Sequence, residues 1–458
     1  MRRRLIFIAL FAALLLSALA PIRSYDYFWH LATGRWIVEH RALPATDPFA
    51  IGSDPTPWIN GEWLFEIVLY AMHAIGGATG VTWLRAAFVA LLFCVIVVRT
   101  SKQVTDGGGE AAALVLTAVA FAGALPFLDA RPSLLAPLFV VLALTTRGAI
   151  GQAILAALWI NIHPSALLAP GIALLSTRRV APVIASALAL LINPHGWRAI
   201  AAPVELMLYV RGGTFVNAEW LPSSPARFPL LYLTLIGAAI LLATAERPRE
   251  QWWRIALACG FGYLAVSSVR HQPLWFAAMP IVVAPVLRYH VKPRLAYAAS
   301  ALVIAFAAFT TPKGIGLTPS RFPVEATARL QATGLRGNIY NADQFGGYLI
   351  WSFYPERRVL TDGRNELYHT LLPEYAKARV DSRAWNALLR KYRIDLAVDE
   401  HRPPLDVMDM TTGQSRKMPA SLAYWPPREW ALIARDGVAM VFARRAAFRD
   451  VERWEIAR

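Results

Sequence analysis

Cysteine is nearly absent: the 458 residues hold two, Cys94 and Cys259, both inside apolar runs, so a disulfide framework is excluded. Charge is scarce as well. Only 17% of the residues are charged, where a soluble domain carries about 25%, while 56% are hydrophobic. Mean hydropathy is +0.41, and together these values exclude an ordinary cytosolic chain. No Walker or Rossmann loop and no zinc-ligand spacing occurs. Acids are outnumbered, 30 Asp and Glu against 46 Lys and Arg, for a net charge of +16. In a soluble protein that excess points to nucleic acid, but here many of the cations sit in short clusters between apolar runs, the signature of membrane topology rather than of a nucleic-acid partner.

The apolar excess fills the chain to about Pro312 and then stops, which predicts a polytopic membrane domain over residues 1–312 and a water-soluble domain over 313–458. Arg2 to Arg4 precede the apolar run Leu5 to Ala20. Pro21 directly after its small-residue end opposes signal cleavage, so this run reads as a retained first helix. Further runs lie near 80–98, 110–127, 133–146, 150–163, 165–177, 180–193, 228–244, 253–269, 272–287 and 293–310. With the first they make about eleven transmembrane helices. If Arg2 to Arg4 are cytoplasmic, the alternate loops carry Arg99/Lys102, Arg147, Arg178/Arg179, Arg247/Arg249/Arg254 and Arg288/Lys292/Arg294, as the positive-inside rule requires. This alternation needs the stretch Glu62 to Gly77, which holds Glu62, Glu66 and His73, to lie at the interface rather than to cross. An odd count then puts the C-terminal domain outside the cytoplasm.

In that topology polar residues collect on the outer side. A long first outer loop, about 22–62, places Asp26 and His30 four residues apart, on one face of a helix, among aromatic residues suited to headgroup level. Asp129 and Arg131 fall in the second outer loop. His163 and His195 sit beside prolines at the outer ends of two spans, Glu219 lies in the fourth outer loop, and Arg270 and His271 cap a later span. Carboxylates with His and Arg at a membrane surface suit displacement at a phosphate-linked carbon. One carboxylate takes the proton of the attacking hydroxyl, while cations or a metal neutralise the departing phosphate. The plainer reading of each residue is structural: a helix cap, an interfacial ion pair, a snorkelling cation.

The segments DYFWHLATGRW, LPATDPFA, WINGEWL, DARPSLL and WINIHPSALL, in this order from the first outer loop to the end of the fifth span, resemble the GT-C fold of membrane glycosyltransferases. More narrowly they resemble a bacterial branch related to the mannosyl- and aminoarabinosyltransferases that use polyprenyl-phosphate sugars. The resemblance implies an inverting glycosyltransferase of the bacterial inner membrane. It would take a hexosyl or pentosyl group from a polyprenyl-phosphate donor to a saccharide, lipid or protein acceptor on the outer face. It also implies that Asp26 is the catalytic carboxylate and that Asp129 binds a divalent cation, Mg or Mn, or orients the donor phosphate. His30, Arg131, His163, His195, Glu219, Arg270 and His271 are the candidate donor-phosphate and substrate group. Relatives have two adjacent acids in the first loop, whereas here Tyr25 and Tyr27 flank Asp26, so a second acid comes from another segment or is absent.

The C-terminal part reads as a small extracytoplasmic α/β domain, with strands at 338–341, 358–361, 394–398 and 438–443 and helices from Gly346 and over 383–391. Its segment ADQFGGYLIWSFYPERRVLTDGRNELY resembles, in its Asp, Gly and Tyr spacing, the acceptor-holding region of the oligosaccharyltransferase catalytic subunit. By that resemblance Asp343, Tyr348, Asp362 and Arg364 bind the acceptor. Two rivals stand beside the enzyme: a transporter or flippase for lipid-linked saccharides, and a non-catalytic GT-C-like envelope assembly protein.

Overall fold

The computed structural model describes residues 2–103, 109–212, 218–287, 292–408, 413 and 415–457; Arg288 of the predicted last cytoplasmic loop lies outside them. The chain forms two compact units. One joins Met1–Ile22 to Ile59–Leu317, and the other joins Arg23–Trp58 to Thr318–Arg458. The segment read from the sequence as an outer loop of the first domain therefore folds with the C-terminal residues.

In its described residues the first unit is built of helices, and each apolar run read from the sequence falls on one. Helix Trp63–Ser101 and helix Pro293–Thr310 are long and apolar enough to cross a membrane. Among the described residues seven other apolar helices, such as Ala149–Ile160 and Val180–Ala189, have 10–17 residues. Helix Trp63–Ser101 breaks at Gly77, whose φ of 58° and ψ of −162° are open to glycine alone at no steric cost. The break falls at the end of the stretch separated in the sequence by its acids. Helix Arg198–Arg211, which hydropathy does not mark, buries only Ala199.

The core of this unit includes Phe93, Phe121, Phe139, Trp159, Trp275 and Phe276. Gly123 lets the Phe276 ring approach so closely that a Cβ there would lie 2.3 Å from it. Arg85 is buried in helix Trp63–Ser101 and donates to Asp129 Oδ1 at 3.3 Å, to the Ala18 carbonyl at 2.9 Å and to the Ala20 carbonyl at 2.6 Å. Carbonyls at the end of helix Arg2–Ala18 lack partners within their own helix, and the guanidinium supplies them.

The second unit is α/β. Strands β1 (Asn338–Asn341), β2 (Ile394–Glu400), β3 (Leu405–Met408), β4 (Ser415–Met418), β5 (Trp430–Arg435) and β6 (Ala439–Arg444) form a four-stranded sheet of order β1-β2-β6-β5 and a separate β3-β4 hairpin. β1 runs parallel to β2, and the other pairs are antiparallel. The predicted strand at 358–361 is an extended edge: Val359 bridges Ile339 on one side and Ala50 on the other. Residues from the first fifty thus complete a sheet whose strands lie beyond 338. Ile51 N–H donates to the Val359 carbonyl at 2.8 Å, and Gly52 N–H to that of Leu360 at 3.1 Å.

Candidate active site

Asp26 is the first residue of helix Asp26–His40, where a carboxylate matches the positive end of the helix dipole. Its Oδ1 accepts a hydrogen bond from Trp29 Nε1 at 3.3 Å, and its backbone N–H donates to Ser24 Oγ at 3.3 Å. The same Oδ1 faces Gly363, where a Cβ would sit only 2.8 Å away. Two more glycines make this approach possible. A Cβ on Gly347 would lie 3.0 Å from the Tyr25 carbonyl and 3.1 Å from Trp29 N, and one on Gly346 would lie 2.1 Å from the Thr361 carbonyl. Helix Gly346–Phe353 can start here only because both positions lack side chains.

The turn 361–366 is held from several sides. Buried Asn341 donates to the Thr361 carbonyl at 2.8 Å and accepts from Leu360 N–H at 3.0 Å. Arg364 is fully buried. It pairs with Asp362 through Nη2 at 2.5 Å and Nε at 2.8 Å, and with Asp47 through Nη1 at 2.9 Å. Its guanidinium also lies 4.6 Å from the centroid of the Trp58 ring, an arrangement that favours a desolvated cation. Tyr368 donates to Asp362 Oδ2 at 2.6 Å, and Asp47 itself accepts from Phe49 and Ala50 N–H, each at 3.1 Å. Burial pushes the Asp362 carboxyl up, but Arg364 and Tyr368 outweigh it and bring the group below the usual carboxylate range.

Asp343 and Glu366 behave in the opposite way. Desolvation, then Asp362 and Asp26, push Asp343 up to about 7, against a hydrogen bond from Thr361 Oγ1 at 3.3 Å. The Asp343 side chain is open to solvent, which tempers the first cause and leaves the neighbouring carboxylates as the firmer one. Glu366 is raised to about 7 by burial and by Asp362 and Asp26, while Arg364 pulls it down. Three further acids thus act on or beside Asp26 from the turn 361–366 and from residue 343: one locked in an ion pair, and two that hold protons more readily than free carboxyls.

His30, buried on the same helix as Asp26, lies against Trp29 with ring centroids 3.5 Å apart. Tyr348 packs edge-on to Phe28 at 4.8 Å, and this ring contact, with Asp362 and Arg364 buried, gives these three a holding part in the fold.

The first unit gathers the other sequence candidates. Arg131 makes a two-pronged pair with Glu219 at 2.6 and 2.9 Å, and Arg270 lies 4.5 Å from the Trp220 ring. His163, in the connection between helices Ala149–Ile160 and Ala169–Thr177, accepts Ser165 N–H at 3.1 Å as a cap. The charges of Arg270, Arg131 and His271 all reach His163. These four cationic or titratable groups therefore act on one another. His195 stands apart from them in its bonding: its Nε2 contacts the Asn60 carbonyl at 3.1 Å, and Asn60 donates to Glu66 at 2.6 Å.

Asp129, the expected metal ligand, is buried, pairs with Arg85 and accepts its neighbour's N–H at 2.8 Å. Among the described residues no group of three or more His, Cys, Asp and Glu is arranged to hold a metal ion. Asp129 in this setting does not fit a metal ligand set.

Sequence reasoning missed Asp47, Trp58, Arg85 and Asn341. Asp47 stood in view in LPATDPFA, but its partner Arg364 is far along the chain, and no local pattern joins them.

No protein-family model matches the sequence, and no curated protein matches it. Its likeness is to solved structures of an oligosaccharyltransferase. Archaeal oligosaccharyltransferase AglB from Archaeoglobus fulgidus, in complex with an inhibitory peptide and a dolichol-phosphate, aligns with a TM-score of 0.51 at 9% identity over 91% of this chain and 74% of that one. The apo form of the A. fulgidus oligosaccharyltransferase aligns with a TM-score of 0.51 at 10% identity, over 90% of this chain and 74% of that one. At such identities what is shared is the fold.

Proposed function

We propose that this protein is a membrane glycosyltransferase that moves a sugar from a polyprenyl-phosphate carrier to an acceptor on the outer face of the bacterial inner membrane, with the second unit extracytoplasmic. The observation that carries the reading is Asp26 set against Gly363 within a ring of acids, in a chain whose fold is that of oligosaccharyltransferase. The dolichol-phosphate and the peptide in the archaeal complex support a lipid-phosphate donor and a nucleophilic acceptor.

Asp26 takes the proton from the acceptor hydroxyl or amine as its oxygen or nitrogen bonds to the anomeric carbon. The bond from that carbon to the phosphate oxygen breaks, and the electron pair leaves with the carrier phosphate. Attack opposite the leaving group inverts the carbon. Cationic groups neutralise the charge that develops on the departing phosphate. Asp343 and Glu366, which hold protons near neutrality, keep the number of negative charges beside Asp26 low.

The test is transfer in membranes that hold the wild-type chain or Asp26→Asn, supplied with a panel of radiolabelled polyprenyl-phosphate sugars. Label leaves the carrier with wild type, and about 10²- to 10⁴-fold more slowly with the variant, the usual contribution of a general base. A donor turned over equally by both proteins refutes the role of Asp26. No transfer from any donor by folded protein refutes the enzyme and favours a flippase or assembly protein.

A further inference from the structure

The first unit carries a second gathering of arginines that the transfer reaction does not use. Arg254, near the start of helix Trp252–Ser267, places its Cζ 4.1 Å from the centroid of the Trp253 ring. Arg178, from the turn between helices Ala169–Thr177 and Val180–Ala189, reaches the same ring at 5.8 Å. Arg147, from the turn between helices Ala136–Thr145 and Ala149–Ile160, donates to the carbonyl of Ser176, two residues before Arg178. One turn and the start of a helix thus bring two guanidinium groups to one tryptophan, and a second turn brings that of Arg147 beside the Arg178 turn.

Their charges are felt mutually: Arg147 and Arg178 act on Arg254, and Arg178 and Arg179 act on Arg147. None of these four makes an ion pair among the described residues. Arg254 turns Nη1 to the Val282 carbonyl at 3.1 Å and Nε to Gln251 at 2.9 Å, and Arg147 spends one nitrogen on Ser176. Those bonds cap helix ends and leave the remaining N–H groups of Arg147 and Arg178, both exposed, without an anion. Like charges brought together in this way are relieved by a bound anion, and planar guanidinium forks suit the oxygens of a phosphate. The half-exposed Trp253 between them decides the source of that phosphate, since an indole at a basic turn is the side chain that sits at headgroup level. All of these turns fall on the side that the charge pattern of the sequence makes cytoplasmic.

We propose that Arg147, Arg178 and Arg254, gathered about Trp253, bind the phosphate of an anionic phospholipid headgroup. The site is separate from the transfer chemistry, and its test needs no sugar donor.

The full chain, purified in a neutral detergent, is titrated with short-chain phosphatidylglycerol, short-chain phosphatidylcholine and inorganic phosphate, with Trp fluorescence and thermal unfolding as readouts. Phosphatidylglycerol is expected to bind and stabilise the wild type, with phosphatidylcholine and inorganic phosphate far weaker. Arg147→Gln with Arg178→Asn weakens that binding roughly thirty-fold, about a factor of five for each arginine. Asn suits position 178 because the backbone there is left-handed, with φ 57°. Arg178→Asn alone disturbs no capping bond and loses about fivefold, which keeps the test open if the double variant unfolds without lipid. Phosphatidylglycerol held equally by wild type and variants overturns the site. Inorganic phosphate binding as tightly as the lipid overturns the lipid assignment and makes the ligand a soluble phosphate.

Discussion

Arg364→Met removes the cation that joins Asp47 near the start of the chain to Asp362 near its end. In the wild type this guanidinium is fully buried and ion-paired with two carboxylates. Methionine keeps much of the volume and the contact with Trp58, so the loss is electrostatic: two buried carboxylates remain with no cation between them. Breaking a buried pair in this way costs about 3–5 kcal/mol, a large share of the roughly 5–15 kcal/mol that holds a domain together. The amides of Ile51 and Gly52, which donate to the carbonyls of Val359 and Leu360, report the opening. Their hydrogen exchange in the full chain in detergent should speed up roughly 150- to 5,000-fold if they exchange by opening of the second unit. Asp47→Asn, which leaves Arg364 with Asp362, should cost only about 1.5–3 kcal/mol. Exchange within about threefold of wild type in Arg364→Met would show that the triad does not hold the 47–58 segment on the sheet, and the account of the site built on it would fall.

Three other outcomes follow from the same geometry. Gly363→Ala drives a Cβ against Asp26 Oδ1, and a carboxylate displaced by a fraction of an ångström to 1 Å should lower kcat by about 10- to 100-fold; unchanged transfer kinetics in a folded variant would refute the contact's importance. Asp343→Asn tests the pH dependence: because the folded pKa of about 7 lies above the ordinary value of 3.8, the native state binds the extra proton, and this group's effect on stability worsens as pH rises from about 4 to 7. The variant should therefore be more stable than wild type at pH 8 and no more stable at pH 4, as read by thermal unfolding of the second unit. Residues 318–458 expressed alone lack Asp47 and the Ala50 edge, and their amide spectra should show no fixed tertiary packing until a peptide of residues 23–58 is added.

Hydropathy made the helices of the first unit legible, because an apolar run in a chain so poor in charge has few other fates. The alternation around Ile339, Leu396 and Val441 likewise marked sheet strands, although β5 was not read. Asp26 stood out because a carboxylate among aromatics at the end of an apolar run needs a reason. Its neighbours did not stand out. Asp343, Asp362 and Arg364 were read as acceptor ligands, since nothing local reveals that Gly363 touches Asp26 or that Arg364 is shared with Asp47. The same limit hid Arg85, whose guanidinium inside an apolar helix looks like a misplaced charge until the carbonyls of Ala18 and Ala20 are placed beside it.

The interleaved second unit sets a schedule for synthesis. Thr318 follows Trp58 by 260 positions, and at about 5–20 residues per second a ribosome needs roughly 13 to 52 s to cover them. For that interval Phe49 and Trp58 have left the ribosome without Val359, Leu360 or Arg364 to cover them, while the helices of the first unit are being made. The 23–58 segment is thus an early-made piece waiting for a late-made sheet, and whatever shields its aromatic residues in the meantime governs how much of the chain matures.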